Sequence, residues 1–437
     1  MKYIFLALFY LLSLNVLAKD TPVERWDSLL TDFSLNKEDH SFCYLDKEQL
    51  KGRNIYKKVR LASVSKLLTT YWAINKLGVD YKYENKIYYK DGKMFIKGDL
   101  DPLLSDRKIF FLISQLNKLG ITHIKELIFD SKFKVFTKAE KYSGSIINIS
   151  AARTLLNLKD FLNVDGWNKL LVVYNKFIEN TPNSLLKSLN IKSNVKDLDL
   201  KVDKITFRDH SELEKKENEV EKYIMYSSLI SKYMKFMNIH SNNYMADQIF
   251  NKLGGEEKFD EFISNDLKDL IESMKDKATG YAKDEKLLKM YTGSGLNTKR
   301  NDVRVDNYAN CGLITHIIKK LDLKLETLKN NIWNIVAVPG SDGGTFRSRL
   351  KSPRLKNTFI AKTGTLFHTC AIAGEMFEAD KEKTYFGIFH QVEGWKGNIR
   401  IMQDKTLTYL WESLNIDNKF NYSPEFFFPA STNLVKF

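Results

Sequence analysis

The amino-acid sequence predicts an α+β protein, and three stretches carry that reading. Residues 66–77 are apolar nearly all round (Leu67, Leu68, Tyr71, Trp72, Ile74, Leu77), and Gly78 follows as a stop. A helix with no solvent face belongs at the centre of a domain. Far along the chain, Phe359–Leu366, Thr369–Phe377 and Thr384–Val392 are β-prone runs joined by short turns, an antiparallel meander. Between these, residues 81–220 alternate helix and strand patterns unevenly, as a segment with its own core. The 437 residues, 43% of them hydrophobic and 13% aromatic, supply apolar material for two or three domains.

In chain order, Lys2 and the apolar run Ile4–Leu14 lead to Val16-Leu17-Ala18, the small-residue cleavage site of a signal peptide over residues 1–18. That run is too short to span a bilayer, and no later stretch is long enough. The expectation is an exported, periplasmic protein with at most peripheral membrane contact. Residues 41–46 and 54–61 read as short strands leading into the apolar helix. Asp91-Gly92, between Ile87–Lys90 and Lys93–Ile96, is the dipeptide of a type I′ hairpin turn. Residues 107–119 have helical periodicity, Gly120 stops them, and Ile121–Phe129 reads as a strand. The mixed-charge run 211–223 reads as a solvated helix face or linker. Tyr223–Met237 and Tyr244–Leu253 read as two helices broken at His240-Ser241-Asn242-Asn243, and a last helix covers 399–414. The aromatic tail from Asn418, with Phe426-Phe427-Phe428, reads as packed on the domain. Of Cys43, Cys311 and Cys370 at least one stays unpaired, and one candidate disulfide is Cys311 with Cys370.

Several function classes drop out. The net charge is +14, but the lysines are scattered, with no basic tract interleaved with aromatics, so no nucleic-acid partner is expected. A basic exported protein is instead drawn to an anionic envelope polymer or membrane surface. The seven histidines show no H-E-x-x-H spacing, so no metal is expected. Gly293-Ser294-Gly295 and Gly340-Ser341-Asp342-Gly343-Gly344 lack the ending of a phosphate loop, and no cofactor is expected. G-x-S-x-G is absent.

Three short motifs remain. Ser63 and Lys66 lie three apart where the apolar helix begins, so their side chains share a face. A serine needs an adjacent base, and a lysine in an apolar pocket supplies one because burial disfavours its charge. S-x-x-K recurs at Ser34, Ser105, Ser131, Ser184, Ser193 and Ser348, but only Ser63 opens an all-apolar helix; Ser65 points elsewhere and reads as structural. Lys362-Thr363-Gly364-Thr365 holds the chain's one K-T-G, on the first strand of the meander. A lysine, two hydroxyls and a glycine suit an extended peptide ending in a carboxylate. Ser241-Asn242-Asn243 is the one S-x-N set in a break between apolar helices.

In this order the motifs resemble those of the penicillin-recognising active-site serine enzymes. More narrowly, the chain is similar to class C low-molecular-mass penicillin-binding proteins, the D-alanyl-D-alanine carboxypeptidase/endopeptidase group. Gly98-Asp99-Leu100-Asp101-Pro102, Leu119-Gly120-Ile121 with Asp130, Gly293-Ser294-Gly295-Leu296 and Asp342-Gly343-Gly344-Thr345 add to the likeness. Thr292, where the group has Asp, and Arg60-Leu61, where it has Pro, depart from it.

The resemblance implies an antiparallel sheet flanked by helices, built from residues 19–80 and 225–437, with 81–224 inserted. It implies that Ser63 attacks, Lys66 takes its proton and Ser241 passes a proton to the leaving amine. Asn243, Lys362, Thr363, Gly364 and Thr365 would bind the substrate, with the Ser63 and Thr365 N–H groups as oxyanion hole. Peptidoglycan stem peptides are the implied substrates and β-lactams the implied covalent inhibitors. A β-lactamase-like hydrolase and a non-catalytic peptidoglycan-binding protein are the alternatives. Because the motifs lie outside 81–224, the insertion is expected to be dispensable for the chemical step but not for handling polymeric wall.

Overall fold

In the computed structural model, which describes residues 20–136, 149–215, 219–378, 382–394, 396–414, 416 and 419–437, the apolar stretch forms the helix Ser65–Leu77. The signal-peptide segment 1–18 lies outside the described residues. Every side chain from Ser65 to Ile74 is buried, and Gly78 ends the helix. Trp72 sits edge-on between Phe250 and Phe259 at its centre.

The meander forms at Phe359–Leu366, Thr369–Phe377 and Lys383–His390. His40–Asp46 and Gln49–Arg53 extend it to a five-stranded antiparallel sheet, with Phe359–Leu366 on one edge. Side chains alternate between its faces. Ile360, Ala371 and Phe389 face the core around the central helix. Phe359, Ile372 and Phe386 face a second core, which includes Trp26 of helix Pro22–Asp32 and Met402 of helix Gly397–Ser413.

That alternation decides the cysteines. Cys43 faces the central-helix core and is bonded to Cys311 of helix Cys311–Thr327. Cys370, on the same face of its strand as Ile372, looks the other way and is the free thiol. The candidate Cys311–Cys370 pairing does not form, because the sheet stands between the two sulfurs.

The insertion builds a mixed six-stranded sheet in the order Val435–Lys436, Glu221–Tyr226, Glu84–Lys90, Lys93–Lys97, His123–Phe129, Lys201–Phe207. Its hairpin turns at Asp91-Gly92 as expected, and its own core gathers around Phe110 of helix Asp106–Lys118. Four details differ from the sequence expectation. Residues 221–226 are a strand, and the helix is Ile230–His240, since an apolar run this short has no periodicity to separate the two. The charged run 211–223 therefore holds the turn Glu212–Glu214 and the start of that strand. Of residues 54–61 only Val59–Arg60 is extended, while the half-exposed polar strand Gln49–Arg53 carried no alternating signal. Finally, the tail is divided: Phe427 stacks on Phe236 at 4.6 Å, whereas Phe428 enters the insertion core and Val435–Lys436 closes the insertion sheet.

Glu375 is fully buried on strand Thr369–Phe377; neither carboxyl oxygen has a hydrogen-bond partner among the described residues, and Lys383 Nζ lies 3.9 Å from Oε1. Burial first, then the nearby Asp322 carboxylate, hold its pKa well above the ordinary value of 4.5. A carboxyl with a raised folded-state pKa loses stability as pH climbs from its unfolded pKa towards its folded one. Glu375→Met is therefore expected to gain stability relative to the parent as the pH rises from 4 to 8. The gain is read from urea unfolding at both pH values. An unchanged difference between the two proteins would show that the carboxyl is compensated.

Candidate active site

Ser63 stands in the tight turn Ala62–Val64 that runs into the central helix, with Ala62 held at φ 46°. A left-handed alanine is a strained conformation of the kind that clusters at functional sites. Lys66 follows one turn later, its side chain fully buried. Its Nζ lies 2.9 Å from Ser63 Oγ, 2.8 Å from Asn243 Oδ1 and 2.7 Å from Ser294 O. Burial draws the Lys66 ammonium down to about 7, with the Asp247 carboxylate opposing. As a neutral amine, Lys66 donates its two N–H groups to Asn243 and Ser294. Its lone pair then accepts the Ser63 O–H, the arrangement of a base beside a nucleophile.

Asp247 was not singled out from sequence. It lies four residues after Asn243 on helix Asn243–Lys252, and that spacing, which puts both on one face, is the signal that could have found it. Its Oδ1 accepts from the Ser294 N–H at 2.8 Å, and burial pushes its carboxyl up to about 6. Ser65 turns away, its Oγ accepting from Asn307 Nδ2 at 3.0 Å, so it is structural as expected. Thr292 donates its hydroxyl to Leu296 O at 2.8 Å and so braces the Gly293-Ser294-Gly295 loop against Lys66.

Ser241 ends helix Ile230–His240 at φ 49°, and Asn242 caps the next helix by accepting from the Met245 N–H. Its Oγ accepts from Lys362 Nζ at 3.1 Å, and Lys362 also donates to Thr363 O at 2.8 Å. Burial, then the charge of Lys66, push the Lys362 ammonium well below the ordinary lysine value. The Lys66 charge thus reaches Lys362, which links the Ser63–Lys66–Asn243 group to the Ser241–Lys362 group.

Thr363, Gly364 and Thr365 complete the site along the sheet edge. The Ala361 N–H donates outward to Ala337 O. By the alternation of an antiparallel strand, the backbone groups of Thr363 and Thr365 face the same open edge. A Cβ on Gly364 would meet Leu61 O at 2.7 Å and Ser63 N at 3.0 Å, so only glycine lets the strand ride this close to the Ser63 turn. Lys66 and Lys362 are buried behind, while Ser63, Ser241 and Asn243 are half-buried and Thr365 is exposed in front. All eight residues singled out from sequence therefore meet here. A cleft of about 990 Å³ leads from Ser241 and Asn243 past Phe236 to Arg107 of the insertion and Phe426 of the tail.

The family model described as D-Ala-D-Ala carboxypeptidase 3 (S13) matches residues 27–145 and 198–406, which contain all three motifs. The unmatched stretch between them holds the insertion helices Ala151–Phe161, Lys169–Glu179 and Asn183–Ser188. Among solved structures, the chain is similar to the Bd3459 predatory endopeptidase from Bdellovibrio bacteriovorus, with TM-score 0.75, 23% identity, and coverage of 91% of this chain and 98% of that one. Similar too is the Bd0816 predatory endopeptidase of the same organism, in complex with immunity protein Bd3460, with TM-score 0.75, 24% identity, and coverage of 90% and 99%. Penicillin binding protein 4 from Haemophilus influenzae shares the fold at TM-score 0.54 and 15% identity, covering 90% of this chain and 99% of that one. No curated protein sequence matches the chain.

Proposed function

The chain belongs to the D-Ala-D-Ala carboxypeptidase 3 (S13) family and is a serine-type DD-peptidase of the class C penicillin-binding kind, and we propose that Ser63 is its nucleophile and Lys66 its base. The observation that carries this reading is the 2.9 Å contact of a fully buried lysine amine with the Ser63 hydroxyl. Ser63 Oγ attacks the carbonyl between two D-residues of a peptidoglycan stem as Lys66 takes its proton. The N–H groups of Ser63 and Thr365 receive the oxyanion, a contribution typically worth about 3–4 kcal/mol per donor. Lys362, Thr363 and Thr365 hold the substrate carboxylate, and the Asn243 side-chain NH₂ holds its amide. Ser241, hydrogen-bonded to Lys362, passes a proton to the departing amine, and water then hydrolyses the acyl-enzyme. We place this reaction in the periplasm on the strength of residues 1–18.

The test is release of D-alanine from a stem pentapeptide by the wild type and by Ser63→Ala. Release by the wild type alone is expected. Failure of both would favour the non-catalytic peptidoglycan-binding alternative. Fast turnover of penicillin with no turnover of peptide would favour the β-lactamase alternative.

The cleft favours the endopeptidase branch of the reaction. A terminal D-alanine needs no room beyond its carboxylate site, whereas a cross-link carries a second stem on its departing amine. The space beyond Ser241, about 990 Å³, is of the size that takes an extended ligand. On intact sacculi, cross-linked dimers are expected to be converted to monomers at least as fast as pentapeptides lose D-alanine. Persistence of dimers while pentapeptides are trimmed would overturn this assignment.

A further inference from the structure

Two carboxylates of the loop Gly98–Pro102 hold the helices that meet at Ser241, and the chemistry above uses neither. Asp101 is 2% exposed, between a fully buried Lys108 and a fully buried Tyr233. Its Oδ2 accepts from Lys108 Nζ of the insertion helix Asp106–Lys118. Its Oδ1 accepts from the Leu103 N–H at 2.9 Å and from the Tyr233 hydroxyl at 3.0 Å, a hydroxyl that also lies 3.1 Å from Pro429 O of the tail. Tyr233 belongs to helix Ile230–His240, and the residue that ends this helix is Ser241. Asp99 does the same for the other helix. Its Oδ1 accepts from Nζ of Lys252, the last residue of helix Asn243–Lys252, at 2.6 Å. Its Oδ2 is fixed by the Tyr81 hydroxyl at 2.8 Å. Phe136, also from the insertion, packs its ring on Tyr244, beside Asn243, with centroids 4.8 Å apart.

We propose that this insertion loop is a clamp on the Ser241–Asn243 corner, with Asp101 acting through Tyr233, and Asp99 through Lys252, as positioning residues for the Ser241 hydroxyl. The corner is only left-handed Ser241 and extended Asn242 between two helices, so a small rotation of either helix swings Ser241 Oγ away from the departing amine. A buried ion pair such as Lys108–Asp101 adds little net stability, but it is directional. Asp101 and Lys108 fix the acceptor and Tyr233 reads its position. A consequence is that the insertion is not dispensable for the chemical step, contrary to the expectation from motif positions alone. This inference rests on the reading of Ser241 as the proton donor to the leaving group.

That role supplies the test. An amide nitrogen must be protonated as it leaves, whereas the thiolate of a D-Ala thioester departs without a proton. Turnover of a D-Ala-D-Ala peptide and of its thioester analogue should be compared in Tyr233→Phe, Asp101→Asn and, as reference, Ser241→Ala. In Tyr233→Phe, kcat for the amide is expected to fall roughly 10- to 100-fold, the cost of a displacement of about an ångström. Thioester kcat, and KM for both substrates, should stay within about threefold of wild type by the same reasoning. Ser241→Ala should show the same selectivity more strongly. Equal losses on both substrates in Tyr233→Phe, beside a selective loss in Ser241→Ala, would overturn the clamp alone. Equal losses in Ser241→Ala itself would overturn the Ser241 reading, and the clamp with it. If Asp101→Asn does not fold, Tyr233→Phe, which removes one hydroxyl, still decides.

Discussion

Benzylpenicillin is expected to raise the mass of the protein by one drug molecule, with the adduct on the peptide that carries Ser63. The strained lactam presents a carbonyl and a nearby carboxylate as a D-Ala-D-Ala terminus does. Its opened ring stays tethered to the acyl group, so the leaving amine cannot diffuse away and deacylation is slow. Ser63→Ala should abolish the adduct. Lys66→Ala should slow labelling by about 10²- to 10⁴-fold, the usual contribution of a general base. Ser65→Ala should leave labelling intact, because the Ser65 hydroxyl faces Asn307. The pH dependence follows from Lys66, whose ammonium burial has drawn down to about 7. Below that pH the lysine is protonated and has no lone pair for the Ser63 proton, so the labelling rate should rise through neutrality and level off above it. A stable adduct on Ser241 or Ser294, or labelling that survives Ser63→Ala, would falsify the assignment of the whole site.

The site was more legible in the sequence than the boundaries around it, for physical reasons. Ser63 and Lys66 could be paired because helix geometry converts a spacing of three into a shared face; Gly364 was read as room for a ligand, and the structure shows that it also makes room for the Ser63 turn. Strand Thr369–Phe377, buried on both faces, and the mostly apolar central helix, buried from Ser65 to Ile74, stood out in the sequence. What sequence could not supply were contacts between segments distant in the chain. Ser294 O beside Lys66, Asp99 beside Lys252 and Cys43 beside Cys311 join residues 228, 153 and 268 positions apart. The cysteines show the limit well, since their pairing depends on which face of a sheet each occupies. The tail misled for a related reason. Phe427 and Phe428 are adjacent and chemically alike, yet a change of direction sends one to the corner helix Ile230–His240 and the other into the insertion core.

Lys362→Ala should reduce kcat/KM on a D-Ala-D-Ala peptide about 30-fold to a few thousand-fold. The range corresponds to about 2–5 kcal/mol for removing one partner of a buried charge pair. Among the described residues the Lys362 ammonium has no carboxylate hydrogen-bond partner, only the Ser241 hydroxyl and the Thr363 carbonyl. Burial and the charge of Lys66 disfavour its protonated form. An arriving substrate carboxylate reverses that balance, because it supplies the missing counter-charge where little water competes. Binding and protonation of Lys362 are therefore linked, and the carboxylate should count for more here than at an exposed lysine. A double-mutant cycle separates this role from any effect on Ser241. Amidating the substrate carboxylate should cost the wild type a similar factor, while the Lys362→Ala protein, having lost the cation, should be nearly indifferent to amidation. Additive losses from the two changes would mean that Lys362 acts through Ser241, and near wild-type rates in Lys362→Ala would leave the edge strand with a structural role only.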